Sequence, residues 1–175
     1  MVGNWEKSFA EVLKWEGGYV NDPLDNGGET NLGVTKAAWA EYVGRQVADG
    51  EMKTLTVDMV RPLYKRNFWD KCQCDKLPSG VDYVVFDFAV NAGCRQSVRF
   101  LQRAVGAGVD GIMGPQTLGK VAEHAADDIL DSIKTQKENF YAGLVANNPS
   151  QSRFIRGWLN RVSGAHAFAK KLISP

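Results

Sequence analysis

The 175-residue sequence predicts a mainly α-helical fold, interrupted near its N-terminus by one small irregular or β-hairpin loop. Apolar residues recur at helical spacing in segment after segment, each bounded by a capping residue, a glycine or a proline. The stretch 18–35, GYVNDPLDNGGETNLGVT, breaks this pattern and is dense in the residues of turns and positive φ. The segment 81–93, VDYVVFDFAVNAG, is apolar on nearly every side, as expected of a helix enclosed by others.

Residues 4 to 16 read as the first helix, with Trp5, Phe9, Val12 and Leu13 on one face and Gly17 and Gly18 as its stop. After the loop, Thr35 suits the cap of a helix to about Gln46. Thr56 suits the cap of another to about Trp69, which Pro62 must kink or break. Ser79 is the expected cap of the apolar helix, and Gly93 its end. Residues 96 to 105 follow, stopped by Gly106, and Pro115 suits the first position of a helix over 115 to 126. Asp127 or Asp128 opens a long helix to about Asn147. Beyond Pro149, Ser150 starts the last, with Phe154, Trp158 and Val162 on one face. There is no repeat, low-complexity tract or long linker, so residues 1 to 175 are expected to form a single compact unit.

Twenty-one basic and 20 acidic side chains leave a net charge of +1. The longest basic run is Lys170-Lys171, so neither nucleic acid nor an anionic membrane surface is an expected partner. No apolar run approaches the ~20 residues of a membrane span. Glu6 and Glu11 interrupt the N-terminal segment, so cytoplasmic synthesis without a signal peptide is expected. Cys72, Cys74 and Cys94 are odd in number and read as free thiols. The only histidines, His124 and His166, lie far from Cys72 and Cys74, so no zinc spacing forms and no metal ligands are expected. Neither a phosphate-cradling glycine loop nor a Ser-His-Asp pattern occurs, and no cofactor is expected.

The carboxylates of the loop region carry the chemical interest. Glu16 falls at the expected C-terminal end of the first helix, where the helix dipole is negative and disfavours a charged carboxyl. A carboxylic acid kept protonated is what general-acid cleavage of a glycosidic bond requires. The alternative is a solvated glutamate without a role. Asp22, Asp25 and Glu29 follow, with Thr30 beside them. Asp25 could supply the second carboxylate of a glycosidase across a folded-back loop. Asp22 and Asp25 could equally be turn-forming residues. Asp87 and Asn91 lie one turn apart on the apolar helix, either lining a cleft or satisfying each other in the interior. Tyr19 and Trp69 are either sugar-stacking or core aromatics.

The segment WEGGYVNDPLDNGGETNLGVT, residues 15 to 35, resembles the signature of the glycoside hydrolase family 108 N-acetylmuramidases. That signature runs E-G-G-Y/F, then N-D-P-x-D, then G-G-x-T-N-x-G-V/I-T. The resemblance implies a lysozyme-like fold and hydrolysis of the β-1,4 bond between N-acetylmuramic acid and N-acetylglucosamine in peptidoglycan, with Glu16 as catalytic acid. The loop is also similar to the Glu…Asp…Thr arrangement of phage-type lysozymes, which implies supporting catalytic roles for Asp25 and Thr30. Tyr19, Asp22, Asn91 and Trp69 are then the candidate substrate-binding residues. Downstream, SVRFLQRAVG and VDGIMGPQTL resemble a peptidoglycan-binding-type region. Residues 1 to 87 are thus the expected catalytic half and 88 to 175 the wall-binding half. Family members occur as phage endolysins and as prophage or secretion-associated muramidases. This implies a monomer acting on the periplasmic wall after holin- or secretion-assisted release. A lytic transglycosylase and a non-catalytic wall-binding protein are the rival readings.

Overall fold

A computed structural model describes residues 3–21 and 28–173. It is mainly α-helical, with one two-stranded antiparallel hairpin, and divides into two compact units: Trp5–Asn67, and Phe68–Pro175 together with the first four residues.

The Trp5–Asn67 unit carries helix α1 (Asn4–Leu13), strands β1 (Thr30–Asn31) and β2 (Val34–Thr35), and helices α2 (Lys36–Val43) and α3 (Val57–Tyr64). Helix α1 stops three residues before Glu16. The backbone leaves it in i→i+3 turns, Lys14 N–H to the Glu11 carbonyl at 3.2 Å and Trp15 N–H to that of Val12 at 2.9 Å. Thr35 caps α2 as expected, its hydroxyl accepting from Ala38 N–H at 3.2 Å, and Gly44 ends it earlier than expected in the left-handed conformation. Thr56 caps α3. Pro62 does not break this helix, which instead widens into a π-helical turn over Lys65–Asp70. Phe9, Val12, Val34, Trp39, Met52, Val60, Leu63 and Tyr64 are buried.

The second unit is built around α4 (Val81–Ala92), in which every residue from Val81 to Ala89 is buried. Around it pack α5 (Cys94–Ala104), α7 (Ala126–Asn147) and α8 (Ser152–Ile173), while α6 (Pro115–Ala122) begins at its expected proline. Ser79 is not the cap of α4. The residue before the helix is Gly80, at φ 85°, where a Cβ would stand 2.7 Å from the Ala169 carbonyl of α8. Asp82 serves a first-turn amide instead, accepting from Tyr83 N–H at 2.7 Å, and also accepts from the Asn4 side-chain amide at 2.8 Å. Phe88 meets Phe100 edge to face at 4.7 Å, and Tyr141 stacks on Trp158 at 5.0 Å. Cys72 and Cys74 are buried in this unit and Cys94 is half-buried, and none of the three is joined in a disulfide.

Asp87 joins three helices. Fully buried on α4, it accepts from Lys137 of α7 at 3.1 Å and from Arg161 of α8 at 3.0 Å. Removing one member of a buried ion cluster leaves the others uncompensated, at a cost of about 3–5 kcal/mol. Asp87→Asn is therefore expected to lower Tm by on the order of 10 °C, which a calorimetric melt checks. A variant melting with the wild type would show the cluster to be energetically neutral.

Candidate active site

The hairpin turn organises the candidate site. β1 and β2 are joined by the two residues Leu32 and Gly33, both at positive φ, 50° and 73°. This is type I′ geometry, whose twist suits antiparallel strands. Glycine adopts it without penalty, but leucine does not. The Leu32 carbonyl accepts from the Tyr64 hydroxyl at 2.8 Å, which ties the strained residue to α3. Val20 and Thr30 exchange both backbone hydrogen bonds, at 2.8 and 2.9 Å, so Thr30 pairs with Val20 as well as with Thr35.

Glu16 stands half-buried in the bend after α1. A Cβ on Gly33 would lie 2.4 Å from Tyr64 Oη, 2.7 Å from Glu16 Oε2 and 3.0 Å from Glu16 Cγ. The carboxylate thus leans on the bare Cα of Gly33 and shares that patch with the Tyr64 hydroxyl. The expectation that the last turn of α1 holds Glu16 is corrected, because the helix ends at Leu13 and the hairpin tip is what positions the carboxyl. Gly33→Ala is accordingly expected to displace Glu16 and cut wall-clearing activity by roughly 100-fold or more, since small misplacements of catalytic groups are this costly. Turbidity clearing by a variant with an intact circular dichroism spectrum is the measurement. Near-normal activity would show that Gly33 does not position the acid.

Glu29, Tyr19 and Lys36 form a second group in the same unit. The Tyr19 hydroxyl donates to Glu29 Oε1 at 2.8 Å, and Lys36 pairs with Oε2 at 2.7 Å. Lys36, with Tyr19, holds Glu29 below the usual carboxylate range, so it is ionised at neutral pH. The Lys53 ammonium lies 5.3 Å from the Tyr19 ring centre, so Tyr19 is held by its hydroxyl and by its ring. A cavity of about 510 Å³ is lined by Glu29 and Lys36 with Ala37, Ala40 and Val47, and does not include Glu16.

The remaining candidates are scattered. Asp22 and Asp25 lie outside the described residues. Asn91 is exposed near the end of α4 in the other unit, its amide donating to the Asp87 carbonyl at 3.2 Å; it makes no side-chain pair with Asp87. Trp69 is corrected to a core residue: it is 1 % exposed, donates to Asp75 at 2.8 Å and packs edge to face on Phe86. It presents no face to a sugar. Sequence reasoning missed Tyr64, Leu32 and Gly33 as positioning residues. The signal was a two-residue turn ending in glycine between short β-prone pairs. Among the described residues, no group of three or more His, Cys, Asp or Glu side chains could hold a metal ion.

Comparison with known proteins adds to this geometry. The family model described as glycosyl hydrolase 108 matches residues 9–93, and that described as a predicted peptidoglycan domain matches residues 96–163. Among solved structures, the chain is similar to SagA of Brucella abortus, with 36 % identity and a TM-score of 0.86 over 99 % of this chain and 97 % of that one. No curated protein sequence matches the chain significantly.

Proposed function

Because the chain belongs to the glycosyl hydrolase 108 family and joins it to a peptidoglycan domain, making it a peptidoglycan-degrading glycoside hydrolase, we propose that it is an N-acetylmuramidase with Glu16 as its general acid. Its substrate is the β-1,4 bond between N-acetylmuramic acid and N-acetylglucosamine. The observation that carries this reading is the seating of the Glu16 carboxyl against Gly33 and Tyr64 at the hairpin tip.

In the proposed reaction, Glu16 gives its proton to the glycosidic oxygen as the bond to the anomeric carbon breaks. Positive charge then spreads over that carbon and the ring oxygen, and a second carboxylate must answer it before water completes the hydrolysis. Glu29 is ionised, but both of its oxygens are committed to Tyr19 and Lys36. That leaves the role to Asp25, with Thr30 in support and Asp22 and Tyr19 in substrate binding. Asp25→Asn is expected to lower clearing of purified walls by roughly 100-fold, and Asp22→Asn by much less. The reverse order would reassign the second carboxylate.

The deciding experiment is mass analysis of the products from purified peptidoglycan. A muramidase releases fragments ending in reducing N-acetylmuramic acid. Anhydro ends, lighter by one water, would make the protein a lytic transglycosylase, and wall binding without release would make it a binding protein. We further propose that the protein acts as a monomer, in the manner of an endolysin. It would be made in the cytoplasm and reach the periplasmic wall by holin- or secretion-assisted release. Cell fractionation before and after lysis tests that route.

A further inference from the structure

The loop from Asp110 into the first turn of α6 frames an open cleft of about 500 Å³ in the second unit, lined by Lys71, Gln73, Arg95, Val98, Ile112 and Met113 among others. The loop is firmly built. Gln102, 1 % exposed, donates to Asp110 Oδ1 at 2.7 Å and to Thr117 Oγ1 at 3.0 Å, and its side-chain oxygen accepts from Gly111 N–H at 2.8 Å. Asp110 accepts in turn from Ile112 N–H at 2.8 Å. Gln73 donates to the Met113 carbonyl at 2.6 Å, which anchors the far side. Nothing in the proposed glycosidic step uses this construction.

Its surface chemistry is specific. Gly111 stands at φ 78°, and a Cβ there would meet Arg95 Cγ at 2.5 Å and Arg99 Cγ at 3.3 Å. The stems of both arginines therefore lie against the bare glycine. Of the two, Arg95 lines the cleft, and Lys71 adds a second cation there. Among the described residues neither Lys71 nor Arg95 has an ion-pair partner. The hydrogen bonds from Gln102 and the Ile112 amide hold the Asp110 carboxyl below the usual carboxylate range, with a smaller contribution from the Arg95 charge. Ile112, 65 % exposed, supplies an apolar rim, with Val98 and Met113 beneath it. No aromatic ring lines the cleft. Neutral sugars are usually held by aromatic faces and gain little from two cations. A ligand with several carboxylates on a short aliphatic backbone satisfies both features.

We propose that this cleft binds the acidic stem peptide of peptidoglycan through its carboxylates, with Lys71 and Arg95 as the charge partners and Ile112 as the apolar contact. The inference rests on the reading that the cell wall is the substrate. It assigns the second unit to the peptide rather than to the glycan strand.

The test is an NMR titration of the isotope-labelled full-length Glu16→Gln protein with three probes. These are a free stem tetrapeptide, the same peptide with its carboxylates amidated, and a peptide-free N-acetylated glycan oligomer. The free peptide is expected to shift the Gly111, Ile112 and Met113 amides saturably, and to bind more weakly as salt rises. Amidation, or the double change Lys71→Gln and Arg95→Gln, is expected to weaken it tenfold or more, about one charged hydrogen bond's worth. Both side chains are exposed, so an unchanged melt of the double variant shows that the fold is intact. Equal binding of the amidated peptide, a loop response to the glycan alone, or no response to any probe would overturn the proposal. Wall clearing by the unaltered protein reports separately on the glycosidase reading. Its failure with peptide binding intact would strike the reaction and leave the cleft standing.

Discussion

Glu16→Gln is expected to abolish cleavage of purified cell walls while leaving the fold unchanged. The substitution is nearly isosteric and keeps the contacts of the side chain against Gly33 and Tyr64. What it removes is the transferable proton. A positioned general acid is commonly worth ~10²–10⁴-fold in rate, so clearing of a wall suspension should fall by at least that range. A thermal melt matching the wild type would separate lost chemistry from lost structure. A folded Glu16→Gln protein that cleared walls at the normal rate would remove Glu16 from the mechanism. Gly33→Ala approaches the same point from the opposite side, since it keeps the acid and moves it. If both variants are inactive and both fold, the position and the proton are each required.

Truncation after residue 95 is expected to prevent cooperative folding. Such a fragment retains α4 but loses α5, α7 and α8, the helices that pack on it. Nine consecutive residues of α4, Val81 to Ala89, are buried in the whole chain. Each large apolar side chain returned to water costs about 1.5–3 kcal/mol. Asp87 loses Lys137 and Arg161 together. Losses of this size exceed the ~5–15 kcal/mol by which a domain is stable. The 1–95 fragment should therefore be insoluble or molten, with no sharp melt and no lytic activity. If residues 1 to 87 were instead a self-sufficient catalytic domain, the fragment would be soluble, melt cooperatively and clear walls slowly. Expression, a melt and a turbidity assay on the one fragment distinguish these outcomes.

Much of the helical frame was legible because its signals are local. Thr35 and Thr56 cap helices through hydrogen bonds to amides three residues ahead. Pro115 opens α6, where its missing N–H costs nothing. The burial of α4 on all sides was written in its uninterrupted apolar residues. Other expectations failed where distant contacts decided. Ser79 had a capping side chain, but the close approach of Ala169 selects the buried Gly80 before α4. Trp69 had the ring for sugar stacking, but Phe86 and Asp75 enclose it. The charge at Asp87 was visible, but not that Lys137 and Arg161 neutralise it from 50 and 74 residues away.

The sequence by itself determined the helical class, the place of the one turn-rich loop, the identity of the candidate acid and the family resemblance. These depend on periodicity, capping and short motifs, which act over a few residues. Only the tertiary structure decided that Gly33 and Tyr64 seat Glu16, that Leu32 is held strained by a tyrosine 32 residues away, and that the bare Gly111 lets Arg95 pack beside it at an open cleft. Those are close approaches between segments far apart in the chain. Their existence depends on how whole helices pack, and the spacing of residues along a single segment carries no record of it.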